Sequence, residues 1–438
     1  MARTPLEIGD LDMSKHSSSL HSARLWQLAP AALLACSVSA QAADPAPLSE
    51  ATTQQIEAVV KKTLDDNGVQ LFGYGRGGFY SASGNQQKGQ YQLGGDLQHY
   101  RLGNEGDNYI EFGIGKKWDL GGGLKWGTYY MPKVYNGNTG TAQVYADITG
   151  LEFAPDLTLW AGQRYHRIQD IHILDNWLMQ DGDNYGAGVD GIRIGSKARL
   201  NLAVYTQGSS DNSNASSNNA RRANFQLRDL PVNPGGRLTL TGATINGRFG
   251  IGQNGNALGL LHNQADFLLP GMNNSLFVQT STGHAGLDGK FYGLDNAGVA
   301  QAGAKQTRIA EVIDWQLGAF GGQALASYQT VEPDNAAKYK DTSIGGRMSY
   351  GVARNVKVLL DVGITSRAID GQATQHLNKG TLAVAFSPDN KFWTRPEFRV
   401  YLSRFNWNTA AGAANAATFG AGGRSSATTV GAQVEYWW

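Results

Sequence analysis

Val356-Lys357-Val358-Leu359-Leu360-Asp361-Val362-Gly363-Ile364 puts five aliphatic side chains on one side of an extended chain, with Lys357 and Asp361 on the other. That is the period of two a strand shows when its two faces meet different surroundings. The pattern recurs along the chain. Gln70, Tyr74 and Arg76 share a face in Val69–Arg76. In Asn108–Ile114 both isoleucines and Phe112 oppose Tyr109 and Glu111. Phe398, Val400 and Leu402 oppose Glu397, Arg399, Tyr401 and Ser403. In the last stretch, Val430–Trp438, Gln433 and Glu435 oppose an apolar set.

The 438 residues include 57 Gly, 12 Pro and 10% aromatics, a composition suited to many strands and turns. Lys+Arg (37) nearly balances Asp+Glu (36), so the basic excess that nucleic-acid binding needs is missing. No run of about 18 apolar residues occurs, which excludes a helical membrane protein. The only cysteine is Cys36. The rest of the chain therefore has no disulfide and no thiolate metal site.

Arg24 precedes the apolar stretch Leu25–Val38, and Ala40-Gln41-Ala42 is a small-x-small cleavage site. Residues 1–42 are expected to be a secretory signal peptide, with Met13 an alternative start. Leu33–Cys36 resembles a lipoprotein box, but ordinary cleavage at the good site just downstream is the preferred reading. Residues 48–66 are expected to form a short periplasmic helix, capped by Ser49 and ended by Asn67-Gly68. Its stripe of Ile56, Val59, Val60 and Leu64 suits either packing on its own protein or a coiled-coil stub meeting other copies.

A soluble sandwich also alternates, but no continuous apolar runs or helical crossovers are present to build its second layer. Secretion, segments near ten residues, aromatic strand ends and long polar loops fit a transmembrane antiparallel β-barrel over 70–438. Gly208–Arg222, Gly283–Lys305 and Asn408–Thr428 are expected as extracellular loops, because alternation resumes after each. The length suits eighteen strands, and sixteen would also fit. Gly250–Gly255 matches G-x-G-x-x-G but opens no helix, and is expected as a turn.

Phe72-Gly73-Tyr74-Gly75-Arg76-Gly77, Tyr100-Arg101-Leu102-Gly103-Asn104-Glu105, Trp160–Tyr165 with Asp170–Asp175, Trp393-Thr394-Arg395-Pro396, and Gly431–Trp438 together resemble the maltoporin family of carbohydrate porins, colinearly across 70–438. The resemblance implies a trimeric eighteen-stranded barrel in the bacterial outer membrane, with sugars as permeants and outer-membrane lipid as its surroundings. It implies no cofactor, no metal and no catalytic residue.

It also implies a slide of lumen aromatics that stack on sugar rings, here Tyr74, Tyr109, Phe277, Trp393 and Trp437. Parity gives each a polar companion, namely Arg76, Glu111, Gln279, Arg395 and Glu435 in turn, so all five are expected to point away from lipid. Arg76, Arg101, Glu111 and Asp175 match polar constriction positions whose charged groups replace the hydration of sugar hydroxyls. Wall salt bridges are the blander account of them.

The chain departs from the family at several sites. Thr141 lies where a third constriction arginine is expected, Trp177 stands for a tyrosine, and Gly106 replaces a first-loop cysteine. An aromatic donated by a neighbouring subunit is not assignable among Tyr129, Tyr130 and Tyr135. These departures point to mono-, di- or short oligosaccharides. A non-selective porin is the alternative; it would lack the aromatic ladder. A secreted glycosidase using Asp170/Asp175 or Asp181/Asp183 is disfavoured, because loop acids are usually solvated. His166 and His172 are expected to make loop hydrogen bonds.

Overall fold

The computed structural model describes residues 50–83, 90–180, 182, 185–206, 219–294, 303–420 and 423–438. The leader with Cys36, the acids Asp181 and Asp183, and residues 208–218 of the Gly208–Arg222 tract lie outside the described residues.

The chain divides at Val60/Lys61 into two units. Among the described residues, helix α1 runs Glu50–Asp66. Ile56, Val59 and Val60 form an exposed stripe on it.

Among the described residues, twenty strands follow in chain order. The first ten are β1 (Val69–Ala82), β2 (Tyr109–Asp119), β3 (Lys125–Tyr135), β4 (Asn138–Leu151), β5 (Ala154–Gln163), β6 (Arg167–Ile171), β7 (Asn176–Gln180), β8 (Tyr185–Ile194), β9 (Ala198–Thr206) and β10 (Arg221–Asn233). The rest are β11 (Gly236–Asn246), β12 (Gly255–Gln264), β13 (Met272–Ser281), β14 (Ala304–Leu317), β15 (Phe320–Pro333), β16 (Tyr339–Ala353), β17 (Val356–Ile369), β18 (Gln375–Phe386), β19 (Glu397–Trp407) and β20 (Ser426–Trp437). Gly250–Asn254 of the G-x-G-x-x-G match is irregular chain before β12, as the missing helix signal implied.

Eighteen of these strands form one antiparallel sheet that closes on itself. The closing pair is β1 with β20, where Tyr74 faces Trp437 and Arg76 faces Glu435. Closure removes the unpaired edges, which a membrane does not tolerate. β6 and β7 form a separate hairpin inside the β5–β8 connection. The tight end turns suit the sequence: Asn136 and Gly137 join β3 to β4 with φ of 48° and 87°, the left-handed pair a two-residue hairpin needs.

Burial is inverted relative to a soluble protein. On β19 Arg399 is 0% exposed while Leu402 is 54% exposed; on β17 Lys357 and Asp361 are fully buried while Ile364 is exposed. Apolar side chains therefore coat the outside and ionic ones line the inside, the arrangement lipid selects. Buried charge is tolerated there because it is paired: Asp361 accepts from Arg347 at 3.0 Å and from Lys379 at 2.5 Å.

Residues 90–108 of the β1–β2 connection turn into the barrel against β16–β20. Tyr100 lies on a glycine seat in the wall: a Cβ at Gly363 would sit 2.1 Å from its ring, and one at the cross-strand partner Gly345 would sit 2.5 Å away. Its hydroxyl meets Ser343 Oγ at 3.1 Å. Leu102 packs on Leu359, Ala383, Ala385 and Tyr401. Tyr91 stacks on Trp407 near helices α2 (Thr409–Ala414) and α3 (Ala416–Phe419), which occupy the Asn408–Thr428 loop.

Candidate functional site: a pore constriction

The β6–β7 hairpin narrows the lumen. Its apolar side chains, including Ile168, Ile171, Ile173 and Leu178, are buried against Leu261, Val312 and Leu325 of the wall. That seating sends Asp170, Asp175 and Trp177 toward the pore. His172–Leu174 makes a 3-10 turn at the tip, followed by Asp175 in a left-handed conformation (φ 53°).

Wall and loop groups brace the hairpin backbone. Gln323 accepts from Ile173 N–H and donates to the Asp170 carbonyl, each at 3.2 Å. Gln279 donates to the Leu178 carbonyl at 2.9 Å, and the Arg101 backbone N–H donates to Ile173 O at 3.0 Å.

A cavity of about 450 Å³ opens beside this hairpin. Tyr74, Tyr109, Trp437, Arg76, Arg101, Glu111, Asp175 and Trp177 line it, so eight of the ten expected site residues meet in one place. Asp170, His172, Tyr135, Arg167 and Gln180 complete the lining. Tyr74 and Tyr109 have ring centroids 6.1 Å apart. The Arg395 guanidinium lies 4.5 Å from the Trp437 ring, and Arg76 lies 5.3 Å from that of Tyr109. Each cation covers one aromatic face by a cation–π contact.

The charged groups form one network. Arg76 donates to Asp107 at 2.7 and 2.8 Å and to Asp175 at 2.7 Å. Arg101 pairs with Glu105 at 2.8 Å and Glu435 at 2.9 Å, and donates to the Tyr74 hydroxyl at 2.6 Å. Glu111 accepts from the hydroxyls of Tyr109 and Tyr165. Arg395 donates to Glu435 and meets His172 Nε2 at 2.9 Å. Such saturated pairing leaves Asp175, with 42% of its side chain exposed, as the most open charge of the network's pore side.

Two expected slide residues lie elsewhere. Phe277 does face inward, but it is 1% exposed and packed beneath the hairpin with Leu178 and Leu261. Its ring presents no open face to a passing solute, which corrects its assignment to stacking. Trp393 sits in the β18–β19 connection, before the strand begins at Glu397, so strand parity does not govern it. It is 37% exposed and packs 5.3 Å from the His172 ring.

Glu435, Arg395 and Glu105 carried a signal in sequence, since they stand on inward parity positions or inside the resembling motifs. Asp107 carried none, because it lies in irregular chain.

The hairpin groups differ in charge. Burial pushes the Asp170 carboxyl up to about 7 against the opposing pull of Arg101, although 36% of its side chain stays open to the pore. Burial takes the His172 imidazole down to about 4 despite Glu435, so it is neutral near pH 7. Burial also opposes ionisation of Asp175, but Arg101 and Arg76 outweigh it and hold the carboxyl below the usual range. A raised carboxyl is charged above its pKa and neutral below it. As pH falls from 8 to 6, the constriction therefore loses the Asp170 charge, and cation preference falls. Zero-current potentials in a KCl gradient should show this change with a midpoint near 7, and Asp170→Asn should abolish it. An equal pH response in that variant would rule Asp170 out as its source.

Residues 69–438 match the model of the LamB porin family. Solved porins share the barrel at low identity. The crystal structure of Pseudomonas aeruginosa OccK10 is 10% identical, with a TM-score of 0.50 over 85% of this chain and 99% of that one. An anion-selective porin from Comamonas acidovorans is 13% identical, with a TM-score of 0.46 over 84% of this chain and 99% of that one. The closed eighteen-stranded barrel, its apolar exterior and its family match agree: the chain belongs to the LamB porin family and is an outer-membrane channel.

Proposed function

We propose that this channel passes short neutral sugars by facilitated diffusion. The observation that supports the reading is the meeting of Tyr74, Tyr109 and Trp437 with Arg76, Glu111 and Asp175 around one cavity. Aromatic faces suit the apolar faces of sugar rings, and charged groups suit their hydroxyls. Trp393 extends the aromatic track beyond His172, while Phe277 is left out of it.

Trp177 selects for length. It lines the cavity across the hairpin from Asp170, with the Arg167 guanidinium 5.4 Å from its ring. An indole there adds bulk and cannot accept a hydrogen bond. In liposome swelling, wild-type channels should pass mono- and disaccharides and exclude long oligosaccharides. Trp177→Ala should raise conductance and admit the longer chains. A size limit and conductance unchanged by the substitution would mean that Trp177 only packs the hairpin, and the preference for short sugars would fall.

The mature chain is a trimer, exported with the help of the 1–42 leader. The exposed Ile56–Val60 stripe of α1 offers contacts between copies on the periplasmic side. Crosslinking of unboiled outer membranes should trap three chains; recovery of single chains alone would refute this.

A further inference from the structure

The β8–β9 and β10–β11 turns lie at the barrel end opposite the long β1–β2 and β5–β8 connections, the end that faces the periplasm in an outer-membrane barrel. At that end, in the β8–β11 sector, arginines lie side by side. Arg193 pairs in register with Arg199, and Arg199 pairs with Arg228 on its other side. Directly paired residues share a face, with Cα atoms on the order of 5 Å apart. Arg199 has the parity of Asn201, and Arg228 that of Gln226; both of these are buried inside the barrel. The three arginines therefore face the lumen. Arg237, on the inward parity of Thr239 and Thr241, continues the arc on β11.

Like charges directly opposite one another destabilise a sheet, so the row needs counter-charge. The chain supplies only part of it. Arg193 pairs with Asp156, and Arg237 lies 3.6 Å from Asp229. Among the described residues, Arg199 and Arg228 form no ion pair; Arg199 donates only to the carbonyls of Lys197 and Ala198, at 3.3 and 3.1 Å. A cavity of about 690 Å³ opens beside Arg199, lined in part by Lys197, Arg199, Asp229, Asn233 and Arg237; Arg228 adjoins it only through its register pair with Arg199. Half-buried guanidinium groups without a carboxylate, arrayed at a channel mouth, attract and bind anions.

We propose that Arg199 and Arg228 form an oxyanion site at the periplasmic mouth, which takes permeants carrying a carboxylate or a phosphate, such as acidic sugars. The site concentrates such solutes at the periplasmic mouth and holds them one step beyond the constriction. It rests on the barrel being a channel and is independent of stacking on Tyr74, Tyr109 and Trp437.

The test uses the full-length protein in planar bilayers, with glucuronate, inorganic phosphate and glucose added on the periplasmic side. Wild-type current should be blocked by glucuronate at lower concentration than by glucose. The R199Q/R228Q double variant should raise the half-blocking concentration of glucuronate and phosphate on the order of tenfold, as loss of charge-assisted contacts implies. It should also shift the zero-current potential in a KCl gradient away from anions, while glucose block stays at its wild-type value. R199K/R228K keeps the charge but loses the two-pronged geometry, so it should retain the potential and lose part of the oxyanion block. Equal response to phosphate and glucuronate assigns the site to the oxyanion itself; response to glucuronate alone assigns it to acidic sugars. Unchanged oxyanion block and unchanged potential in R199Q/R228Q, with normal heat-modifiable migration showing a folded barrel, would overturn the proposal. Absence of glucose block in every variant would instead count against the sugar reading alone.

Discussion

Glu435→Gln should destabilise the barrel by about 3–5 kcal/mol, the range for removing one partner of a buried ionic cluster. Glu435 is 0% exposed and joins four separate parts of the chain. It binds Arg101 of the in-folded first loop, Arg395 of the β18–β19 connection, Arg399 of the wall, and the Tyr74 hydroxyl of β1. His172 at the tip of the constriction hairpin lies 3.4 Å away. Glutamine leaves three guanidinium groups around a neutral amide. The temperature at which the folded form disappears in heat-modifiable gel migration should therefore drop sharply, and single-channel current should become noisy as the loops loosen. A wild-type transition temperature would show that water or neighbouring acids compensate the arginines, and that the cluster does not hold the loops.

The second large effect belongs to the aromatics. Trp437→Ala should weaken sugar block by about 5- to 150-fold, taking the ~1–3 kcal/mol of aromatic–base stacking as the analogue. Trp437 is the cleaner test, because its ring contacts are Arg395 on one side and the edge of His172 on another. Tyr74 has two roles, since its hydroxyl also bonds Arg101 and Glu435. Tyr74→Phe keeps the ring and removes those bonds, so it should retain most sugar block, whereas Tyr74→Ala should lose it. Current block titrated in bilayers checks both. Equal loss in Phe and Ala variants would assign the effect to the ionic network and not to stacking.

The barrel was legible in the sequence because lipid enforces parity. Each outward position must be apolar, so segments such as Val356–Ile364 declare their two faces within nine residues. What parity cannot report is a loop folded into the lumen. Phe277 has the right parity, yet the hairpin covers it, and the covering residues Leu178 and Met179 lie about a hundred positions away in sequence. The in-folded segment around Tyr100 was equally hidden. Its seat is the absence of side chains at Gly345 and Gly363, which reads in sequence as ordinary strand glycine. No apolar run announced an inner layer because its residues, such as Ile168, Ile171, Ile173 and Leu178 of the hairpin, are interspersed with polar ones along the chain. Trp393 was named through the resemblance, but parity is no guide to it: the strand begins four residues after it, so alternation counted back from Glu397 has no meaning there. Arg76, Arg101 and Asp175 were found, but their mutual saturation with Glu105 and Asp107 appears only in three dimensions.

The central claim is that an aromatic and ionic cavity inside this barrel binds sugars as they pass. Its most direct test is titration of neutral mono-, di- and longer oligosaccharides against the ion current of the wild-type channel in planar bilayers. Saturable block that is strongest for short sugars, and is relieved in Trp437→Ala with ion conductance intact or higher, is the expected result. Current that falls only in proportion to the viscosity of the sugar solution, alike in wild type and variant, would contradict it and leave a non-selective pore.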